Sequence, residues 1–579
     1  MKKLINDPKT VVREMLEGVV ALAPGCALLQ NENVIVRNPL PPPAERPVAI
    51  LSGGGSGHEP AHAGFVGPGL LTAAVAGDIF TSPSADAILS AMRAVAGPAG
   101  AVLIVKNYTG DRLNFGLAAE MARSQGIPTQ VVVVADDVAL RHTVPKNRRR
   151  GIAGTILVHK IAGAAAASGL ALDDVATIAQ AAAADLGSMG VALGACTLPT
   201  VGRPGFTLGD DEVELGLGIH GEPGVERGKM RTADALVELM LDTINEDLAL
   251  ANGKRVALLV NGLGATPPIE LSIVTRAALA ILARRGIAVE RAWTGTFLSA
   301  LDMPGCSLSL LRLDDQRLAL LDAEAQAPAW PGRGILNTAP AIAPGPEMYQ
   351  HAAEELRSRL SEESKLVRRL ALAAAQALID AERTLTDLDT RAGDGDLGTN
   401  MARGAAAVRN LPETGWESPS SALAAMGDAL RRAIGGSSGP FYGAALLRAS
   451  RRLAEETSPT PRAWADSLML AAQAVAELGG AVPGDRTMLD ALFSAAKAAS
   501  TAVSAGHSAE AALTACAAAA EEGAKATAAM QPKLGRASYL GDRALGVPDG
   551  GAVAVAVWLK ALATELAAKE NDKPQTEKI

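Results

Sequence analysis

The sequence predicts a multidomain chain, an α/β region of two subdomains followed by an all-α region. Three observations carry this. In the first half, short continuous apolar runs alternate with helical patterns. Beyond residue 348 no clear strand pattern occurs, and Ala/Leu-rich stretches recur at helical spacing. Between the two, residues 322–346 read DAEAQAPAWPGRGILNTAPAIAPGP, rich in Pro, Ala and Gly and without periodicity, as a linker would be. The expected domains are 1–185 and 186–335, both α/β, a linker at 336–347, and an all-α domain at 348–579.

Taken in order, PVAILSGGG, AVLIVKNYTGD and TQVVVVADD read as buried strands, with helical stretches at 83–96 and 114–125 between them. That order implies a parallel sheet covered on both faces, whose ligands sit outside the carboxyl ends of the strands. GVALGACTLPT, the alternating FTLGDDEVELGLGIHGEPG and RVALLVNGLGATPPIE give the next segment its own mixed α/β core. In the last region, helices are expected at 363–379, 461–478 and 508–529. Thr460 before Pro461 suits an N-cap and first helical position, and Ser508 suits an N-cap. Ala-rich i, i+3, i+4 patterning fits a helical bundle or barrel.

The balance of 48% apolar and 20% charged residues is that of a soluble globular chain, and a net charge of −8 argues against nucleic-acid or anionic-membrane partners. Cys26, Cys196, Cys306 and Cys516 are widely spaced, which suits reduced thiols. The start MKKLINDPKTVVREML has no apolar core of a signal peptide, and no apolar run is expected to span a membrane. A cytoplasmic protein is expected.

Two strand exits carry candidate chemistry. SGGGSGHEPAH at 52–62 departs from a dinucleotide fingerprint, because His58 replaces the third glycine. His58-Glu59-x-x-His62 matches the letters of a zinc-protease motif, but that motif needs a continuous helix, and here a glycine loop precedes it and Pro60 interrupts it. The segment reads either as a glycine turn with a surface His or as a glycine-lined pocket with His58 as a proton-transfer group. Lys106 and Asp111 in KNYTGD serve either a turn or a site. KNRRR at 146–150 reads as a solvated loop. His220, in the glycine-rich GIHGEPG, is either an exposed His or an imidazole able to attack a carbonyl.

In the second half, DTRAGDGDLGTNM at 389–401 places Asp389, Asp394 and Asp396 close together, with Gly395 letting the backbone fold so that carboxylates converge. Thr399 and Ala405 fail the EF-hand positions, so this is a solvated acidic turn or an oxygen-only site for Mg²⁺ or Ca²⁺. Further glycine-rich breaks, GGSSGPFYG, GDRTMLDAL, GRASYLGDR and VPDGGA, fall between helices. If they cluster, helix N-termini, hydroxyls and Arg536 would face phosphates. No Walker A sequence occurs.

SGGGSGHEP, VKNYTGD, VALGACT, FTL and GIHGEPG in order, then LDTRAGDGDLG, GGSSGP, GDRTMLDAL and GRASYLGDR, together resemble the dihydroxyacetone kinase family in its single-chain, ATP-dependent form. The resemblance spans nearly the whole chain. It implies a ketone-binding region of two α/β subdomains and a nucleotide domain built as an eight-helix barrel. It implies that His220 captures the ketone as a covalent hemiaminal, with His58 and Asp111 as acid/base groups and Gly55, Ser56, Gly57 and Lys106 contacting substrate. It implies Mg²⁺ on Asp389, Asp394 and Asp396, and ATP contacts from Leu397, Gly398, Thr399, Asn400, Ser437, Ser438, Gly479, Met488, Arg536, Asp549, Gly550 and Gly551. Dihydroxyacetone is the expected substrate, erythrulose the alternative and a non-catalytic regulator the third reading. A homodimer is implied. The chain departs from the family pattern at Gly550, often Pro, and at Leu397, where some relatives place His or Thr.

Overall fold

The computed structural model describes residues 2–199, 201–222, 224–337 and 360–571. Two compact units divide the chain, residues 1–342 and 343–579.

Unit 1 holds two sheets. The first contains β1 (Cys26–Leu28), β2 (Val34–Arg37), β3 (Ala49–Ser56), β4 (Ala73–Ile79), β5 (Ala101–Lys106) and β6 (Thr129–Val134), in the order β1-β2-β4-β3-β5-β6. The second contains β7 (Leu186–Ala192), β8 (Glu212–Leu215), β9 (Glu226–Lys229), β10 (Arg255–Gly262), β11 (Ala288–Gly295) and β12 (Gly305–Arg312), in the order β11-β10-β12-β7-β8-β9. The expected parallel sheet is a mixed one. β4, β3, β5 and β6 are parallel, but the short β1–β2 hairpin adds an antiparallel edge that needs no crossover helix. The second sheet is antiparallel except for β10 and β11.

The helices of unit 1 are α1 (Val11–Ala21), α2 (Ala85–Val95), α3 (Thr109–Ser124), α4 (Thr155–Ala167), α5 (Leu172–Ala184), α6 (Ala233–Leu248), α7 (Pro268–Arg284) and α8 (Asp315–Asp322). α2 and α3 cover one face of the first sheet, and α6 and α7 one face of the second. α4 is apolar nearly all round and therefore buried, sharing one core with residues of both sheets. Helix α3 starts well before the expected residue 114, because residues 109–111 leave the strand exit directly into its first turn.

The chain after α8 is no free linker as far as residue 335. Gln326 N–H donates to Pro68 O at 2.9 Å, Ala329 N–H to Gly64 O at 2.8 Å, and Ala292 N–H to Gly334 O at 2.8 Å. Glycines let this strap lie close: a Cβ at Gly67 would stand 1.9 Å from Gln326 O. Trp330 is buried against Trp293, ring centroids 5.2 Å apart. Lack of periodicity signalled irregular backbone, and irregular backbone can still pack. Residues 338–347 of the expected linker lie outside the described residues. KNRRR is solvated only in its first three residues, and its last two arginines turn inward. Arg149 pairs with Asp247 at 2.7 Å with both side chains under a tenth exposed, and Arg150 pairs with buried Asp137 at 2.7 Å.

Unit 2 has no strand among the described residues. Its helices are α9 (Glu362–Asp380), α10 (Glu382–Ala392), α11 (Leu397–Arg409), α12 (Pro419–Ala433), α13 (Ser438–Leu453), α14 (Pro461–Gly479), α15 (Met488–Ser504), α16 (Ala509–Ala526) and α17 (Gly550–Asn571). From α11 to α17 each helix packs on the next, and α9 contacts both α11 and α17. Side chains of Thr460 and Ser508 accept N–H groups of Ala463 and Ala511, so both expected caps are formed. Residues 550–568 within α17 are long and apolar enough to cross a membrane by length and composition, which the sequence reading did not anticipate. This helix packs against α9, α15 and α16 and buries Ala552, Ala554, Val555 and Leu559.

Replacing Trp330 with Ala should lower the stability of unit 1 by about 3 kcal/mol. In a urea titration followed by hydrogen exchange, peptides of unit 1 should lose protection earlier and those of unit 2 should not. Unchanged protection near residues 64–69 would show that the strap adds nothing to the fold.

Candidate functional site

Neighbouring parallel strands β3 and β5 end at the first site. His58 follows β3 and is fully buried. Its Nδ1 lies 2.8 Å from Ser299 O. A carbonyl only accepts, so Nδ1 carries the proton and Nε2 keeps a lone pair. That Nε2 is buried without a hydrogen-bond partner. Burial, with Lys106 and His220 nearby, holds His58 well below the usual imidazole range, so it is neutral. Ser299 N–H donates to His58 O at 3.1 Å and Leu301 N–H to Gly57 O at 2.7 Å, stitching the loop after β3 to the segment between β11 and β12.

Lys106 ends β5, fully buried, with no hydrogen-bond partner for Nζ. Burial lowers its pKa, and Asp111 and Glu59 work against that. Asp111, 3% exposed in the first turn of α3, accepts from the Ser82 hydroxyl. A Cβ on Gly54 would lie 3.1 Å from Lys106 Nζ and 3.3 Å from Asp111 Oδ2, so both polar groups face that glycine. Ser56 and Gly57 are committed inward: the Ser56 hydroxyl donates to Gly77 O at 2.7 Å and Gly57 N–H to the Glu59 carboxylate at 2.9 Å.

His220, in the loop between β8 and β9, brings the second sheet to the same place. Its ring centroid is 4.8 Å from that of His58 and 4.5 Å from that of Tyr108. Glu222 accepts the His220 backbone N–H at 2.8 Å, and its other oxygen lies 3.9 Å from Nδ1, within ionic reach but beyond a hydrogen bond. Burial works to raise the Glu222 carboxyl, but His220 and Arg150 outweigh it and hold it at about 2. Arg150 stands 3.6 Å from Glu222. Residues 58–62 are not helical, so His58 and His62 share no helix face, and these letters do not build a zinc-protease site. His62 instead packs its ring 5.1 Å from that of His159 on α4. The sequence reading left Tyr108, Glu222 and Arg150 without roles, although KNYTGD and GIHGEPG contain the first two.

In unit 2, carboxylate oxygens of Asp389, Asp394 and Asp396 lie within 4.8 Å of one another, the only such group among the described residues. Asp389 lies in the last turn of α10 and its Oδ2 accepts the N–H groups of Asp396 and Leu397 at 3.0 and 3.2 Å. This fixes the loop at the N-terminus of α11. Gly395 turns there with φ +79°. The donor set is oxygen only, which fits Mg²⁺. Leu397, Met488, Gly550 and Gly551 come together: a Cβ on Gly550 would stand 2.7 Å from Leu397 Cδ2, and one on Gly551 3.3 Å from Met488 Cβ. Gly398 and Thr399 open α11, and Asn400 is buried on it, bonded to Arg403. Ser437 stands at the N-cap position of α13 without a side-chain cap bond, and Ser438 begins the helix. Gly479, at the end of α14, faces Phe441. Asp549 precedes α17, and burial pushes its carboxyl up to about 6. Arg536 opens the 3-10 segment Arg536–Ala544, and its side chain lies outside the described residues. Arg486, 1% exposed, with Nη2 donating to Val547 O at 2.8 Å and its Nε and Nη1 unpartnered, was not singled out from the sequence.

A Dak1 domain matches residues 17–329 and a DAK2 domain residues 391–564. The chain is 44% identical to a putative 3,4-dihydroxy-2-butanone kinase of Solanum lycopersicum, covering 98% of this chain and 99% of that one. It is 43% identical to the triokinase/FMN cyclase of Homo sapiens over 97% and 98%, and 39% identical to the D-erythrulose kinase of Mycolicibacterium smegmatis over the same shares. Among solved structures, the dihydroxyacetone kinase of C. freundii in complex with AMP-PNP and Mg²⁺ matches with a TM-score of 0.60 at 35% identity, covering 97% of this chain and 99% of that one. The protein is thus an ATP-dependent kinase. It belongs to the dihydroxyacetone kinase family, in the single-chain form that joins a Dak1 and a DAK2 domain.

Buried His159 yields a pH test. Its pKa is lowered to about 3 by burial and by Lys106. The unfolded chain therefore binds a proton near pH 6.5 that the folded chain refuses, and stability falls as pH drops below that value. Asp137, pushed up to about 6 by burial, works the other way. Between pH 6.5 and 5.5, His159 alone should cost roughly 1 kcal/mol. A His159→Gln variant should lose that increment of pH dependence in urea unfolding. An identical pH dependence in parent and variant would mean that His159 is protonated in the fold.

Proposed function

We propose that this kinase transfers the γ-phosphoryl group of ATP to a short-chain ketose, dihydroxyacetone first, after His220 captures the carbonyl carbon. One observation carries the reading. His58 Nε2, beside the His220 ring, and Lys106 Nζ, close to His58, are buried without hydrogen-bond partners, and such groups call for a polar ligand. The lone pair of the His220 ring adds to the carbonyl carbon, the C=O π pair moves to oxygen, and that oxygen takes a proton from solvent, giving a hemiaminal with a cationic ring. Glu222, beside Nδ1, steadies the positive charge that grows on the ring. His58 Nε2 accepts a proton from the ketose hydroxyl as it is phosphorylated, and Lys106 and Asp111 hold the hydroxyl and its neighbour. Gly55, Ser56 and Gly57 shape the pocket wall.

In unit 2, Asp389, Asp394 and Asp396 would hold Mg²⁺, which would offset the negative charge of the phosphates during transfer. The N-terminus of α13, which has no side-chain cap bond, favours phosphates through its N–H groups, and the positive ends of the α11 and α15 dipoles act in the same sense. Leu397 to Asn400, Ser437, Ser438, Gly479, Met488, Arg536 and Asp549 to Gly551 are assigned to the nucleotide. We read α9 with α11 to α17 as an eight-helix barrel on the strength of their neighbour order. The subdomain boundary near residue 185, a homodimer and a cytoplasmic location belong to the same reading.

A four-carbon ketose is the second reading. The names of the tomato and mycobacterial relatives favour it.

Steady-state ATP consumption with Mg²⁺ should separate these readings, comparing dihydroxyacetone, D- and L-erythrulose, glyceraldehyde and glycerol. One ketose should show the highest kcat/KM and glycerol none. His220→Ala should lose at least about 100-fold, and an equally active variant would remove covalent capture from the mechanism. Asp396→Asn should raise the Mg²⁺ concentration for half-maximal rate by about tenfold or more. An unshifted Mg²⁺ dependence would place the metal elsewhere.

A further inference from the structure

Phe80 has no part in the reading above, yet the first site is built around it. It follows β4 with φ +55°, a left-handed conformation that bulky residues rarely adopt. Its N–H donates to Ser56 O at 2.9 Å. Two glycines of the SGGGSG loop make room for it. A Cβ on Gly55 would lie 2.8 Å from Phe80 Cα, and one on Gly57 would lie 2.8 Å from Phe80 Cε1. At Gly55 the constraint is the backbone of residues 80–81, with Thr81 N nearest at 2.5 Å, and at Gly57 it is the Phe80 ring together with a φ of +98°. Backbone strain of this kind persists where surroundings over-determine it, and such places cluster at functional sites.

The ring's neighbours indicate what the strain serves. Phe80 stacks on His58 with centroids 5.0 Å apart and planes within 20° of parallel. It stands at 89° to the His220 ring, 5.2 Å away. His220 is also nearly perpendicular to His58, at 76°, and to Tyr108, at 89°. Three rings therefore surround one imidazole, each nearly perpendicular to it, an arrangement that aromatic quadrupoles favour. His58 is already fixed by Ser299 O, and Phe80 lies flat against it.

We propose that Phe80 is a positioning residue for carbonyl capture: its ring locks His58 and His220 edge to face, so that the attacking imidazole meets the carbonyl in one orientation. The proposal rests on His220 being the nucleophile. Loss of orientation at a reacting group costs on the order of 100-fold. Phe80→Leu should lower kcat/KM for the ketose by about 30- to 100-fold, through a raised ketose KM, while the KM for ATP stays within about twofold. Phe80→Tyr restores a ring and should recover most of the loss. Tyr108→Leu removes another wall and should shift the ketose KM in the same direction, which keeps the test open if Phe80→Leu folds poorly. The direct readout is the His220 ring resonance in the substrate-free full chain, assigned with His220→Ala. In the parent it should be displaced by the currents of three rings, and in Phe80→Leu it should move and broaden. A Phe80→Leu chain with parental ketose KM and an unmoved His220 resonance would overturn the proposal, as would a loss that Phe80→Tyr fails to recover. If His220→Ala remains active, carbonyl capture is wrong. The resonance experiment would then still decide whether Phe80 sets the ring.

Discussion

The first site depends on one seam, the bonds that tie residues 57–58 to residues 299–301. Two backbone hydrogen bonds run across it, and the Ser299 carbonyl also takes the His58 ring N–H at 2.8 Å. A carbonyl cannot donate, so this one bond decides the His58 tautomer and leaves its basic nitrogen facing the pocket. The same bonds join the end of a first-sheet strand to a loop of the second sheet. His220 enters from that second sheet, so the distance between the two imidazoles is set by how the sheets are joined. The core behind them, with α4 packed among residues of both sheets, keeps the join from slipping.

Unit 2 reaches its order by a comparable economy of parts. A single oxygen of Asp389 accepts two successive N–H groups, and this turns the chain from the end of α10 into α11. Gly398 lets that helix start against the chain at Glu382, since a Cβ there would stand 2.1 Å from Glu382 O. The loop thereby presents carboxylates and a helix N-terminus together. The first attracts a hard cation and the second an anion, which is the pairing a metal-bound phosphate chain requires. Burial of Asp549 raises its pKa toward 6, so its charge responds to whatever cation arrives nearby.

Much of this was legible in the sequence because it was written in local chemistry. Apolar runs gave the strands β3, β5 and β6, and N-cap residues gave the starts of α14 and α16. Aspartates separated by glycines gave the carboxylate cluster. What was not legible depended on partners distant in the chain. Arg149 and Arg150 looked like a solvated run because Asp247 and Asp137 lie outside it. The strap around Trp330 looked like a linker because its bonds go to Pro68 and Gly64. The antiparallel edge of the first sheet was missed because β1 and β2 are three and four residues long, too short for a periodic signal. Phe80 carried no signal at all, since a single Phe after a strand is ordinary and its backbone conformation cannot be read from letters.

The aromatic surroundings of His220 also bear on selectivity. A three-carbon ketose offers a handful of non-hydrogen atoms, and even the best small ligands gain no more than about 1.5 kcal/mol from each. Hydrogen bonds alone would therefore hold such a substrate weakly and distinguish it poorly from glycerol, which carries similar hydroxyls. A bond to carbon changes the basis of discrimination, because glycerol has no electrophilic carbon to offer. That advantage exists only if the nucleophile is aimed at the carbon. On the proposed reading, His58 and Lys106 provide a dry polar floor, Glu222 offsets the charge of the adduct, and the three rings supply the aim. Chain length is a separate matter. On that same reading, the carbon to be captured is C2 in a three-carbon and a four-carbon ketose alike, so the choice between them falls to whatever meets the far end of the substrate, and the capture chemistry is indifferent to it.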